Sequence, residues 1–346
     1  MRALVIREHG GPEVLRIEDV ADPVPGPGEV VVRVRAAALN HLDLWVRRGL
    51  PGAPFHLPAT TGADAAGDIA ALGPGVDDLA VDLVIGTPVM VLPGLSCGHC
   101  RACLVGSDQL CRSYGILGES APGALAEYVK VPRANVVAKP ARLSYEDAAA
   151  LSLTFLTAWH MLVTRAEVRG GETVLVQAAG SGVGVAAIQI ARFLGARVLA
   201  TAGTEAKRQA ARDLGAEVVL DSRDPDWWKA VKGLTDGRGA DVIFEHVGGD
   251  VFEKSLRVLA WAGRVVTCGA TAGVDAQVNL RHLFFKSQSI LGSTMGSKGE
   301  YHQLVALYAQ GFFKPVIDRV LPLAEIRAAH EALEQRDVFG KVVVLP

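Results

Sequence analysis

The chain has no run of eighteen or more apolar residues free of charges and Gly/Pro breaks, so no membrane-spanning helix is expected. It has no excess of charge: 35 Lys and Arg stand against 37 Asp and Glu, a formal net charge of −2. That removes a general electrostatic pull toward nucleic acid or anionic lipid, and no dense Lys/Arg run replaces it locally. The opening MRALVIREHGG lacks the basic flank, long apolar run and small-residue cleavage site of a signal peptide. It reads instead as a strand ending in a Gly-Gly-Pro turn. Cysteine is scarce, and four of the five fall within residues 93–111. A cytoplasmic location is expected, where thiols stay reduced and clustered cysteines bind metal more often than they pair.

What is present is a chain of 346 residues, half of them hydrophobic, too long for one ordinary core. Two domains are expected. Residues 1–140 read as short strands punctuated by Gly and Pro, with turns at DPVPGPGE (22–29) and GPGVDD (73–78). This is a barrel or sandwich rhythm, with loops at 41–62 and 93–123 free to carry function. The rhythm then changes. YEDAAALSLTFLTAWHMLV (145–163) has helical spacing, with Ser144 as N-cap and Asp147 at the acidic capping position. TVLVQAAGSGVGVAAIQIARFLGARVLATAG (173–203) reads strand, glycine turn, helix, strand, a βαβ unit that needs a parallel sheet. Further strands at 218–220, 241–247, 264–270 and 289–293 extend this into a doubly wound domain over roughly 154–289.

The turn AAGSGVG (178–184) departs from a strict G-x-G-x-x-G, since Ala179 and Ser181 hold the first two glycine positions and Gly184 the third. Its context, strand before and helix after, supports nucleotide binding on Ala179, Gly180, Ser181, Gly182, Val183 and Gly184, where helix N–H groups meet phosphate. An NAD site usually ends the next strand with an acid that bonds the ribose; Ala202 stands there instead. Thr204, Lys207 and Arg208 follow and suit a 2′-phosphate, so NADP(H) is favoured over NAD(H). The competing reading makes Lys207 and Arg208 a solvated first helical turn.

Cys97, Cys100, Cys103 and Cys111 follow C-x2-C-x2-C-x7-C. Four thiolates surround one tetrahedral ion and leave no open position, so the expected metal is one structural Zn²⁺. Iron–sulfur ligation has comparable spacing and is the alternative. Cys268, alone in an apolar stretch, reads as a buried inert thiol.

Together these motifs resemble the medium-chain dehydrogenase/reductase superfamily across essentially the whole chain. The cysteine loop is similar to the structural zinc lobe of zinc-type alcohol dehydrogenases. AAGSGVG, EHVGG (245–249), GRVVTCG (263–269) and FGKVVV (339–344) are similar to stretches of quinone and enone reductases. The resemblance implies an α/β protein with a GroES-like, β-rich catalytic domain over 1–153, its zinc lobe near 93–115. It also implies a Rossmann doubly wound parallel-sheet domain over 154–289 and a C-terminal return at 290–346. An active site in the cleft between the domains and a homodimer or homotetramer, extended through the edge strand SILGS, are implied too.

The departures bear on mechanism. In alcohol dehydrogenases a catalytic zinc is held by a Cys of C-H-x-D, a His of G-H-E and a further Cys. Here Asn40 and Ala63 stand in the first two places, Leu153 or a neighbour in the third, and Asp64 stands for the Glu. The usual three-ligand site is therefore missing, although His41, Asp43, Asp64 or His160 offer a substitute set. Without a Lewis acid the natural substrate is a quinone, enone or related carbonyl, whose developing charge spreads onto an oxygen that hydrogen bonds can hold. Asn40 and Asp43 match the N-x-x-D of the reductases, and His41, titrating near neutrality when unperturbed, is the nearest proton donor. Each has a plainer reading: Asn40 as a turn residue, His41 as a partly exposed histidine without a catalytic role. Trp45 reads as pocket wall or core, His160 as core. Lys341 is expected near the cofactor's phosphate or nicotinamide, or as a solvated strand residue.

The leading expectation is thus an NADPH-dependent oxidoreductase that acts on a small carbonyl or quinone without catalytic zinc. A zinc alcohol dehydrogenase with substituted ligands, and a non-catalytic nucleotide- or RNA-binding relative, are the alternatives. The segment 79–89 carries no functional assignment.

Overall fold

The computed structural model describes residues 1–50, 52, 55–76 and 83–346. Residues 51, 53 and 54 of the 41–62 stretch, 77 and 78 of the 73–78 turn, and 79–82 of the 79–89 segment lie outside the described residues. The chain divides into two compact units, Met1–Leu156 with Gly296–Pro346, and Thr157–Met295.

In the first unit the organising strand is Glu29–Ala38. One edge pairs antiparallel with Asp64–Leu72, while the other takes Tyr128–Pro132 along its first half and Lys341–Leu345 at its end. Burial follows the two-residue period, with Val32 and Val34 inside and Arg33 and Arg35 outside. Leu4, Ile6, Val30, Val32, Ile69 and Val131 anchor the core beneath. The pairing has one consequence for function. Ala38 lies opposite Asp64 on one side and Val343 on the other, so Asn40, Asp64 and Lys341 gather at one sheet end. The stretch expected as a 41–62 loop opens instead with the helix His41–Arg48.

The second unit holds a six-stranded, all-parallel sheet. Its order is Val218–Asp221, Arg197–Ala202, Thr173–Val176, Ala240–Glu245, Leu259–Thr267, Ser289–Gly292. By sequence position this is 3-2-1-4-5-6, the Rossmann order, which reverses between the first and fourth strands. The unit extends past 289 because Ser289–Gly292 is itself the sixth strand, paired with Leu259–Thr267. Leu175, Leu199, Ile243 and Val265 pack with Trp227 and Val231 in its core. The helix after Ser144 is present, with the Asp147 N–H donating to Ser144 Oγ at 3.0 Å. It is α-helical over Tyr145–Trp159 and continues as a π-helix over His160–Arg165. Among the described residues no helix is long and apolar enough to cross a membrane.

Candidate active site and metal-binding loop

The glycine turn leaves the first strand at the point where strand order reverses, the usual place for a ligand in such sheets. The left-handed residue in it is Ala178, with φ of 49°. Gly184 is required for a different reason: a Cβ there would sit 2.6 Å from Ala178 O and 3.0 Å from Ala179 Cα. Backbone is therefore packed against backbone, the close approach a diphosphate cradle needs. Ser181 caps the helix Gly182–Phe193 by accepting from Gly184 N at 3.0 Å. The next amides, Gly182 and Val183, begin the helix and lack intrahelical acceptors, so an anion fits there. His246 Nε2 lies 3.2 Å from both Ser181 Oγ and Gln177 O. Thr201 Oγ1 donates to Gln177 Oε1 at 2.7 Å and accepts from Ala178 N. These braces come from other strands, which is why sequence spacing did not single them out. The residues present fit a nicotinamide dinucleotide.

At the end of the second strand, Thr204 is exposed and caps the helix Glu205–Asp213. Arg208 is committed elsewhere, to Glu205 and Asp221 at 2.8 Å each. Its charge is largely compensated there. Cys268 lies one residue past a strand, and desolvation pushes its thiol up to about 12, so it stays protonated.

In the first unit, the four cysteine sulfurs all lie within 4.8 Å of one another. Cys100 and Cys103 sulfurs are 3.5 Å apart, and those of Cys97 and Cys103 3.9 Å. A tetrahedron with metal–sulfur bonds of ~2.3 Å has edges of this size. The amides of Cys100 and Cys97 donate to the sulfurs of Cys97 and Cys111, which favours thiolates. The donor set fits zinc.

Asn40, Asp64 and Lys341 form one buried network. Lys341 Nζ donates to Asn40 Oδ1 at 2.6 Å and to Asp64 Oδ2 at 2.9 Å. Asn40 Nδ2 donates to Asp64 Oδ2 at 3.0 Å and, more weakly, to Ala38 O at 3.4 Å. Leu153 N completes the set with a 2.7 Å bond to Asp64 Oδ1. Asp64 and Lys341 side chains are 0% and 4% exposed. Lys341, expected near the cofactor or as a solvated strand residue, is not solvated: its ammonium is buried within the first unit, because its strand begins beside the end of Glu29–Ala38. Gly340 permits that entry: its φ is 94°, and a Cβ would meet Val316 O at 2.2 Å.

Asp43 holds backbone. One oxygen accepts from Asn40 N at 2.7 Å and the other from Gly62 N at 2.8 Å. This ties the helix start to the Gly62–Asp64 turn. Burial pushes the Asp43 carboxyl up to about 6 against the pull of those two bonds. His41 is half-buried, and desolvation together with Arg336, Lys341 and Arg48 pushes it down to about 4. It is therefore neutral at pH 7, and the expectation of an imidazole titrating near neutrality fails for lack of hydration. Because the unfolded chain takes the proton first, His41 removes stability as pH falls from about 6.5 to about 4. Arg47, fully buried on the same helix, bonds Gly10 O, His330 Nδ1 and Glu334 and fixes the helix in place. Trp45 is half-buried, and His160 is buried in the second unit. Among the described residues, the four cysteines are the one group of three or more His, Cys, Asp and Glu placed to share an ion. Among the described residues His41, Asp43, Asp64 and His160 do not form such a group, and the Asp43 and Asp64 oxygens accept the hydrogen bonds given above.

Comparison with known proteins agrees with the fold. Residues 26–141 match the alcohol dehydrogenase GroES-like domain, and residues 182–310 match the zinc-binding dehydrogenase family. The chain is 32% identical over 353 residues to a quinone oxidoreductase of Homo sapiens, covering 100% of this chain and 98% of that protein. It is 31% identical over 358 residues to an NAD-dependent alcohol dehydrogenase of Sulfurisphaera tokodaii, with 100% of both covered. A solved crystal structure of an NAD-dependent alcohol dehydrogenase superposes with a TM-score of 0.95 at 49% identity, again over 100% of both chains. Two family models in the expected order, over a Rossmann sheet and a strand-rich unit with a cysteine loop, leave one assignment: the chain belongs to the medium-chain dehydrogenase/reductase superfamily and is an oxidoreductase of that type.

Proposed function

We propose that the protein reduces a quinone, enone or related conjugated carbonyl with NADP(H), using no catalytic zinc. The observation that carries this reading is the ammonium of Lys341 between Asn40 Oδ1 and Asp64 Oδ2. Asn40 stands where zinc-type relatives keep a metal-ligand cysteine, and Asp64 where they keep the Glu that follows a metal-ligand histidine. A positive charge already occupies their acceptors, and a divalent cation would meet both repulsion and spent ligands.

The nicotinamide, when bound, supplies the hydride. The chain's own residues do the rest. The helix start at Gly182 and Val183 receives the diphosphate, and Thr204 with Lys207 receives the 2′-phosphate. Lys341 polarises the Asn40 amide through Oδ1 and strengthens its Nδ2 donors. One of those donors is held only at 3.4 Å by Ala38 O, and it is the one assigned to a substrate oxygen. A single amide donor holds delocalised enolate-like charge better than a localised alkoxide, which favours conjugated substrates. Neutral His41 offers an N–H but no imidazolium, so the substrate carbon takes its proton from water.

The test combines metal analysis with turnover across quinones, enones and simple ketones, using both nicotinamides. About one zinc per chain, turnover of conjugated substrates and a preference for NADPH that Lys207→Ala weakens are expected. A second zinc needed for turnover of simple ketones would replace this reading with the alcohol dehydrogenase one. A preference for NADH would overturn the cofactor assignment alone.

We also infer a homo-oligomer. Ser289–Gly292 ends the sheet and has no outer partner strand among the described residues. In the same unit Trp261, Phe284 and Phe285 are 63%, 72% and 65% exposed, and the rings of Trp261 and Phe285 meet edge to face with centroids 5.4 Å apart. An open edge with exposed aromatics is usually covered by a second chain. Light scattering should give a dimer or tetramer that Phe284→Asp with Ile290→Lys dissociates; a monomeric parent would refute the inference.

A further inference from the structure

The cysteine loop has two arms that meet at a neck. Gly94–Leu95 pairs antiparallel with Gly115–Ile116, and Cys97 and Cys111 sit just inside on opposite arms. A lysine from far along the chain enters this neck. Lys298 Nζ donates to Gly94 O at 3.2 Å and Ser96 Oγ at 2.7 Å on the first arm, and to Asp108 Oδ2 at 3.1 Å on the second. All three ammonium hydrogens are thereby used. Ser96 Oγ donates to the same Asp108 oxygen at 3.2 Å, so the two arms are bonded directly as well. The other Asp108 oxygen accepts from Lys298 N at 2.9 Å, across 190 residues of sequence. Asp108 thus satisfies an orphan amide at a helix start while its partner oxygen holds the side chain of the same lysine.

The anchor is rigid independently of the loop. Lys298 opens the helix Lys298–Gln310, whose start carries a capping box between Ser297 and Glu300. Tyr301 is fully buried on this helix, and its hydroxyl lies 2.8 Å from Ser152 Oγ. A fixed ammonium therefore spans two arms that are otherwise joined by the short ladder, the Ser96–Asp108 bond and the bond from Cys97 N to Cys111 Sγ.

We propose that Lys298, with Asp108, is a positioning residue for the structural metal: it holds the arms of the cysteine loop together so that four thiolates converge before the ion binds. Bringing four thiolates together costs conformational entropy and mutual repulsion. Holding Ser96 and Asp108 in register removes part of the first cost from the binding step, and the gain appears as slower metal loss. The Asp108–Cys111 segment shows the transmission, since Cys111 N bonds Asp108 O at 3.0 Å and so follows Asp108.

The test uses the zinc-loaded full chain and a chromophoric chelator, pyridylazoresorcinol, as zinc acceptor. Lys298→Met and Asp108→Asn should each release zinc roughly tenfold or more faster than the parent. Lys298→Arg, which keeps charge and reach, should restore slow release. Ser96→Ala, which removes one acceptor and is the mildest change, should show a smaller acceleration. Cobalt-substituted Lys298→Met should keep the tetrathiolate absorption bands, which establishes that the loop still binds metal. Release rates within twofold of the parent in both Lys298→Met and Asp108→Asn would overturn the proposal. So would release that merely tracks global unfolding, measured by circular dichroism under the same conditions, because the lysine would then be a fold-stabilising residue and nothing more.

Discussion

Lys341→Met should lower the unfolding free energy by about 3–5 kcal/mol, because it leaves the Asp64 carboxylate buried without its ammonium. Asp64 would keep only the Asn40 amide and the Leu153 N–H. For a domain of this size the melting temperature should fall by roughly 10 °C. The double variant Asp64→Leu with Lys341→Met removes both charges and should recover much of that loss, since a paired apolar replacement carries no stranded charge. A loss below about 1 kcal/mol in Lys341→Met would mean that water reaches Asp64 and the pair is not desolvated. The same variant reports on chemistry. If it folds at low temperature, kcat for an enone should fall by about 10²–10³, the usual effect of losing one oriented stabiliser of developing charge. An unchanged kcat in folded Lys341→Met would leave the ammonium a purely structural group.

Cys100→Ser should abolish tight zinc binding and unfold the lobe around residues 93–115. Structural zinc held by four ligands contributes about 10–16 kcal/mol of apparent binding free energy near neutral pH. Much of that is folding energy here, because the lobe's few elements are short: a four-residue helix at Arg101–Leu104 and a two-residue ladder. Limited proteolysis should cut within 93–115 in the variant and not in the zinc-loaded parent. The parallel sheet of the second unit draws its core from other residues and should keep its circular dichroism signature. A metal-free variant with an intact, protease-resistant lobe would show that the loop stands on hydrogen bonds alone. The Lys298–Asp108 staple is what would then hold it.

The two sites differ in how far they were legible. The cysteine loop was readable because its donors are local: C-x2-C-x2-C-x7-C confines four sulfurs to one turn of chain, and any compact path brings them within reach of one ion. The glycine turn was readable for the same reason, although the residue that takes the left-handed conformation is Ala178 and not a glycine. The 41–48 helix was missed, although N-x-x-D before an apolar pattern is itself a helix-start signal, here with Asn40 N bonded to Asp43 Oδ2. His41 illustrates a different limit. Its residue type invites titration near neutrality, but its environment of three cations and little water is a property of packing. The solvated reading of Lys341 fails for a like reason: a strand lysine looks solvated until its strand is placed beside Glu29–Ala38 and its ammonium is buried against Asp64.

What the sequence alone determined is everything that depends on neighbours along the chain. It set the strand–turn–helix rhythm of the Rossmann unit and the spacing of the four-cysteine loop. What only the tertiary structure decided is which charges meet. Strand pairing put Lys341 against Asp64, across 277 residues, and helix placement put Lys298 across the neck of the cysteine loop. No local pattern encodes such pairs. Each exists because a desolvated charge must find its partner wherever the folded backbone brings one within about 3 Å.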